Sequence, residues 1–189
     1  MTNRLFRLSY YVAVSGLLLS SHSAWAQAEI AAYGGGAHFA GGTHAVAGGS
    51  VGVRASQLFQ VFGDANYIPL SSVKYSVPGI SGSTSQSTKL LNFGGGVMAG
   101  MPANSGKVLP YALAVAGIGH SSVSGNSIFS GIGASVSDNS VYVGGGAGLR
   151  MMISESWGFR PEVRLQRYLQ NGGSTLVLFT GGIFFNFGK

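Results

Sequence analysis

The chain has 189 residues, enough for one domain, with no cysteine, 8% charged residues and a formal net charge of +6. Soluble domains carry about 25% charged residues, so an ordinary water-facing surface is hard to build from this composition. The lack of cysteine excludes a disulfide framework, a thiolate metal site and a cysteine nucleophile, and the basic residues are too few and too scattered for a nucleic-acid surface.

Residues 1–26 read as an export signal. Arg4 and Arg7 make a basic start, and residues 8–19 form an apolar stretch with Tyr10, Tyr11, Val12, Val14, Leu17 and Leu18. Ala24-Trp25-Ala26 then supplies the small-residue pattern read by signal peptidase. The apolar stretch is shorter than the ~20 residues of a spanning helix, so cleavage between Ala26 and Gln27 is expected rather than anchoring. The mature domain, 27–189, would keep nine basic and five acidic residues, a net charge of +4.

From Gln27 onward the period is two, not 3.6. Eight strands are predicted, at about 28–39, 44–54, 58–69, 88–100, 108–120, 139–151, 157–168 and 175–187. Each is long enough to cross a bilayer as a tilted strand, which takes ~9–11 residues. Turn chemistry separates them at Gly41-Gly42-Thr43, Asn104-Ser105-Gly106, Ser154-Glu155-Ser156 and Asn171-Gly172-Gly173. Two long Ser/Gly-rich connections are expected at 71–87 and 121–138, after the third and fifth strands and therefore on one side of an up-and-down barrel. The connections after even strands are short, the asymmetry of barrels with short periplasmic turns and longer external loops.

Face parity predicts which side is which. In the seventh segment Trp157, Phe159, Pro161, Val163, Leu165 and Arg167 share one face, and Arg160, Glu162, Arg164 and Gln166 the other. The third sets Phe59, Val61 and Tyr67 against Gln60, Asp64 and Asn66, and the eighth collects Val177, Phe179, Ile183, Phe185 and Phe187 on one face. A soluble barrel turned the other way would need charge on every strand, and the first, fifth and eighth carry almost none. The aromatic face, with Phe179, Ile183, Phe185 and Phe187 on the last strand, is therefore assigned to lipid. The expected class is all-β: an eight-stranded antiparallel up-and-down transmembrane β-barrel.

Three glycine triplets, Gly34-Gly35-Gly36, Gly94-Gly95-Gly96 and Gly144-Gly145-Gly146, fall within strands. A phosphate-cradling loop needs a strand, a turn and a helix in succession, which none of them has. Sharp coiling and room for a bulky neighbour in a narrow lumen fit better.

The run Trp157-Gly158-Phe159-Arg160-Pro161-Glu162-Val163-Arg164 resembles the penultimate-strand signature of small outer-membrane β-barrels of the OmpA/OmpX-like group. The Gly-rich strands and the closing Phe185-x-Phe187 pattern are similar too, and the likeness spans the mature chain. Such barrels usually end on an aromatic residue read by the barrel assembly machinery, whereas Gly188 and Lys189 follow Phe187 here. The resemblance implies residence in the outer membrane, contact with its lipid and with that machinery, and a monomer. It covers adhesins, anchors and stress-linked barrels. With no peptidoglycan-binding domain after the barrel, a wall-anchoring role is not expected.

The best constellation of charge is Arg54, Asp64, Arg150, Arg160, Glu162 and Arg164, all on the expected luminal face. It could form an ion path. An eight-stranded barrel, however, is just wide enough for its own side chains, so a paired network is preferred. His120, Ser122 and Asp138 are the components of a lipid A-modifying triad, though their spacing matches it poorly. His38 and His44 flank a turn without a third metal ligand, which favours plain exposed histidines. No catalytic, cofactor or metal site is expected. The favoured function is a structural or adhesion-like role through the external loops, with Tyr75, Ile80, Ile128 and Phe129 among their residues, a narrow channel being the alternative.

Overall fold

Period-two segments hide one face each, but a sheet made of them still leaves two raw edges of unpaired N–H and C=O groups. The chain removes both by closing on itself. A computed structural model describes residues 27–39, 41–76, 83–100, 107–126, 134–170 and 173–188. The leader with Ala26, the turn residues Asn104-Ser105-Gly106 and Asn171-Gly172, the loop residues Ile80, Ile128 and Phe129, and Lys189 lie outside these.

Eight strands follow in order: β1 (Ala28–Phe39), β2 (Gly42–Arg54), β3 (Phe59–Ser76), β4 (Ser83–Gly100), β5 (Val108–Asn126), β6 (Ala134–Met152), β7 (Trp157–Tyr168) and β8 (Thr175–Phe187). Each pairs antiparallel with its neighbour, and β1 pairs with β8 from Ala28↔Phe187 to His38↔Val177, so the barrel is closed. All-β, antiparallel and up-and-down are thus the observed features.

The short turns hold themselves with backbone and serine bonds. Between β2 and β3 the Ala55 N–H donates to Phe59 O at 2.9 Å, and the Phe59 N–H donates to Ser56 Oγ at 3.1 Å. Between β6 and β7 the Ile153 N–H donates to Trp157 O at 3.1 Å, and the Ser156 N–H to Ser154 Oγ at 3.3 Å. At the opposite end Gly41 takes φ 79° and Gly173 φ 73°, a left-handed backbone that glycine adopts without steric cost.

One expectation needs correcting. Much of the two stretches read as loops, 71–87 and 121–138, is strand. The β3–β4 ladder runs past a shift after Pro69 to Ser76↔Ser83, and the β5–β6 ladder runs to Gly125↔Ala134. These segments are rich in serine and threonine and poor in apolar residues, so alternation does not announce them. Their ladder hydrogen bonds make them strands nonetheless. β2 follows β3 only to Tyr67, and β6 meets β7 only from Tyr142. The projecting part is therefore a four-stranded sheet of β3–β6 whose outer edges have no strand partner among the described residues.

Side chains sort by parity. Ile30, Val51, Val61, Phe93, Ile118, Val163, Phe179, Ile183, Phe185 and Phe187 are exposed on the outside, while Tyr142, Phe184, Ile68, Leu176, Gln166, Asn66 and Asn92 are fully buried inside. An apolar exterior round a polar-centred interior is the reverse of a water-soluble barrel.

Parity also explains the triplets. Within Gly94-Gly95-Gly96 the two flanking residues face inward. A Cβ on Gly96 would collide with the Ala114 carbonyl oxygen, and one on Gly94 with the Tyr142 hydroxyl. The outward Gly95 has room, its nearest neighbour being Phe62 O at 3.4 Å. Gly96→Ala should therefore cost about 2–3 kcal/mol of stability by overpacking, and Gly95→Ala almost nothing. Urea unfolding of the two variants in detergent checks this, and equal losses would refute the parity account.

Candidate functional site

The strand alternation that turns phenylalanines outward on β7 and β8 turns Arg160, Glu162 and Arg164 inward from a single strand. They meet acids from across the barrel in two layers. In the middle layer Arg164 spans two carboxylates: its Nη2 lies 2.5 Å from Glu162 Oε1, and its Nη1 lies 3.1 Å from Asp64 Oδ1. The Tyr33 hydroxyl donates to Asp64 and the Tyr111 hydroxyl to Glu162, both at 2.6 Å. The chain of bonds continues through Asn66, whose Oδ1 accepts from Asn92 Nδ2 at 3.0 Å, to the Tyr168 hydroxyl donating to Asn92 Oδ1 at 2.9 Å.

The lower layer, nearer the short turns, is built on Glu29. Arg160 Nη1 donates to Glu29 Oε1 at 2.9 Å and its Nη2 to Ser50 Oγ at 3.1 Å. Arg150 pairs with Glu29 Oε2, donates to Gln60 Oε1 at 3.2 Å and to Asn186 Oδ1 at 3.2 Å, and lies 4.7 Å from the centre of the Phe184 ring. Above both layers Tyr142 and Tyr168 (5.6 Å between ring centres) pack with Phe39, Ile68, Leu90 and Leu176 as an apolar cap. Paired charge and, above it, packed apolar side chains occupy the middle of the lumen, in keeping with an eight-stranded radius.

Of the six residues expected here, Asp64, Arg150, Arg160, Glu162 and Arg164 are buried in these layers. Arg54 is not part of the ion-pair network. It sits half-buried at the mouth, its Nη1 donating to Gln27 Oε1 at 2.5 Å. Glu29 was missed, although it anchors a whole layer. The signal was present in its parity, since Glu29 shares the inward phase of Ala31, which is buried beside it on β1. Phe179, Ile183, Phe185 and Phe187 lie on the outer face, and Trp157 stacks on Phe185 at 6.4 Å between ring centres.

The other candidates do not assemble. His120 lies opposite Asn139 and its Nδ1 is 2.7 Å from Asn139 Oδ1, whereas Asp138 is one residue along and hence on the other face of the sheet. The same alternation separates His38, opposite Thr43, from His44, opposite Ala37. Period two sets both outcomes: neighbours of unlike parity cannot share a site.

No family model matches the chain, and no curated protein matches its sequence. Solved structures do match. The attachment invasion locus protein Ail of Yersinia pestis, in complex with the heparin analogue sucrose octasulfate, superposes with a TM-score of 0.62 at 16% identity, over 87% of this chain and 100% of that one. The fold is that of a small outer-membrane β-barrel. Neisserial surface protein A aligns at a TM-score of 0.56 and 16% identity over 86% and 96% of the two chains. OprG of Pseudomonas aeruginosa does so at 0.56 and 13%, over 88% and 97%. At these identities the likeness lies in the barrel alone.

Proposed function

We propose that the protein is a non-enzymatic barrel of the bacterial outer membrane, with a structural or surface-interaction role exercised through its two external hairpins. The observation that carries this reading is a lumen occupied at its middle by ion pairs and packed side chains, beneath a projecting four-stranded sheet. Transport needs a path, and the middle of the interior is occupied by ion pairs and packed side chains. Recognition needs accessible chemistry, and the edges of β3 and β6, without a strand partner among the described residues, give an incoming strand a place to pair. The apolar exterior supports placement in lipid, with the short turns and both barrel termini toward the periplasm. The names of Ail, an attachment invasion locus protein, and of the neisserial surface protein agree with a surface role for such a barrel.

Cell fractionation is expected to find the protein in outer membranes, released only by detergent; a soluble periplasmic protein would overturn the reading. Replacing residues 71–88 by an Asn-Gly turn should leave the barrel folded and abolish attachment of producing cells to a host-cell layer. Planar-bilayer recordings should show no stable conductance. Ion-selective steps lost in Glu162→Gln would make the protein a narrow channel instead, and altered lipid A in His120→Ala cells would make it an enzyme.

A further inference from the structure

The lower layer carries more positive charge than its carboxylates offset. Arg150 and Arg160 share Glu29, and Arg54 stands at the mouth with the neutral Gln27 side chain as its hydrogen-bond acceptor. With Glu155 on the rim included, three guanidiniums face two carboxylates among the described residues. One donor is idle as well: Arg150 Nε is buried without a hydrogen-bond partner, on a side chain only 9% exposed. Buried charge left uncompensated is costly, so a site of this kind attracts a counter-ion.

Space for one lies at the same place. A cavity of about 350 Å³ opens at the short-turn mouth, lined by Gln27, Arg54, Arg150, Glu155, Ser156 and Asn186. That volume is in the range of small-molecule sites, which run from roughly 300 to 1,000 Å³. Against the one carboxylate of Glu155 the wall sets two guanidinium forks, a hydroxyl and two amides, donors matched to the paired oxygens of a carboxylate or phosphate.

We propose that this mouth binds an oxyanion, a carboxylate or phosphate group on a small molecule, with Arg54 as its main contact. Arg54 is half-exposed and outside the ion-pair layers, so it is free to exchange its bond to Gln27 for the ligand. Arg150 then contributes charge from beneath. The site belongs to the barrel itself and stands whether or not the surface role proposed above is correct.

The test is a calorimetric titration of the purified, detergent-solubilised protein with inorganic phosphate and, separately, with acetate, chloride holding the ionic strength constant. Saturable binding of at least one anion is expected, weakened about tenfold or more in Arg54→Gln. Arg54→Lys, which keeps the charge and loses the fork, should fall between the two, and serves if the glutamine variant does not fold. Lys107→Gln, at the same end but outside the cavity lining, should bind as the parent does. A parent titration indistinguishable from chloride overturns the proposal, as does equal weakening in Lys107→Gln. Stronger binding of phosphate or of acetate supports the site and identifies which oxyanion it takes.

Discussion

Arg164→Met should destabilise the folded barrel by about 3–5 kcal/mol, measured by urea unfolding in detergent micelles. The loss is not that of a surface ion pair. Arg164 is the cation held by both Asp64 and Glu162, whose side chains are 0% and 2% exposed, so its removal strands two buried carboxylates. Tyr33 and Tyr111 still donate a hydrogen bond to each acid, which softens the penalty without neutralising the charge. Restoring neutrality should restore stability. In the Arg164→Met background, Asp64→Asn with Glu162→Gln keeps an acceptor for each tyrosine and removes the stranded charge, so most of the loss should return. A single Arg164→Met variant within about 0.5 kcal/mol of the parent would mean that water screens the layer, contrary to its burial.

Glu29→Gln should have a comparable effect, about 3–5 kcal/mol, with the opposite sign of excess charge. Glu29 joins Arg150 and Arg160, and without its charge the lower layer holds two guanidiniums with no carboxylate between them. Arg160→Met added to Glu29→Gln should recover part of the stability by relieving the repulsion. If the double variant is instead as unstable as the sum of two independent losses, the two residues are not coupled through their ion pair. The Arg164 and Glu29 defects should also be nearly additive with each other, since the layers have no ion pair in common.

How much of this could be read in advance differs from one part of the barrel to another. The boundaries of β1, β7 and β8 agree with those expected, because turn-forming glycine, serine and asparagine lie close to their ends. β3 to β6 run five to seven residues further at the external end than the alternation suggests. Residues 71–76, 83–87, 121–126 and 134–138 are mostly serine, threonine and other polar types, too poor in apolar residues to mark a strand by alternation. Its evidence is the pairing partner, which is distant in sequence or across a hairpin.

The luminal site divides the same way. Parity alone put Asp64, Arg160, Glu162 and Arg164 on one face, since strand geometry leaves each side chain two directions and the aromatic set claims the outer one. Sequence by itself therefore determined the class, the strand count and the inward faces of β3 and β7. The partners were beyond it. That Arg164 would also reach Asp64, that Glu29 would hold Arg150 and Arg160, and that Arg54 would be left at the mouth depend on closure of β1 onto β8 and on the ladder registers. Those are contacts between residues as far as 131 positions apart, and only the closed barrel decides them, because its narrow radius forces inward side chains from opposite walls into the same space.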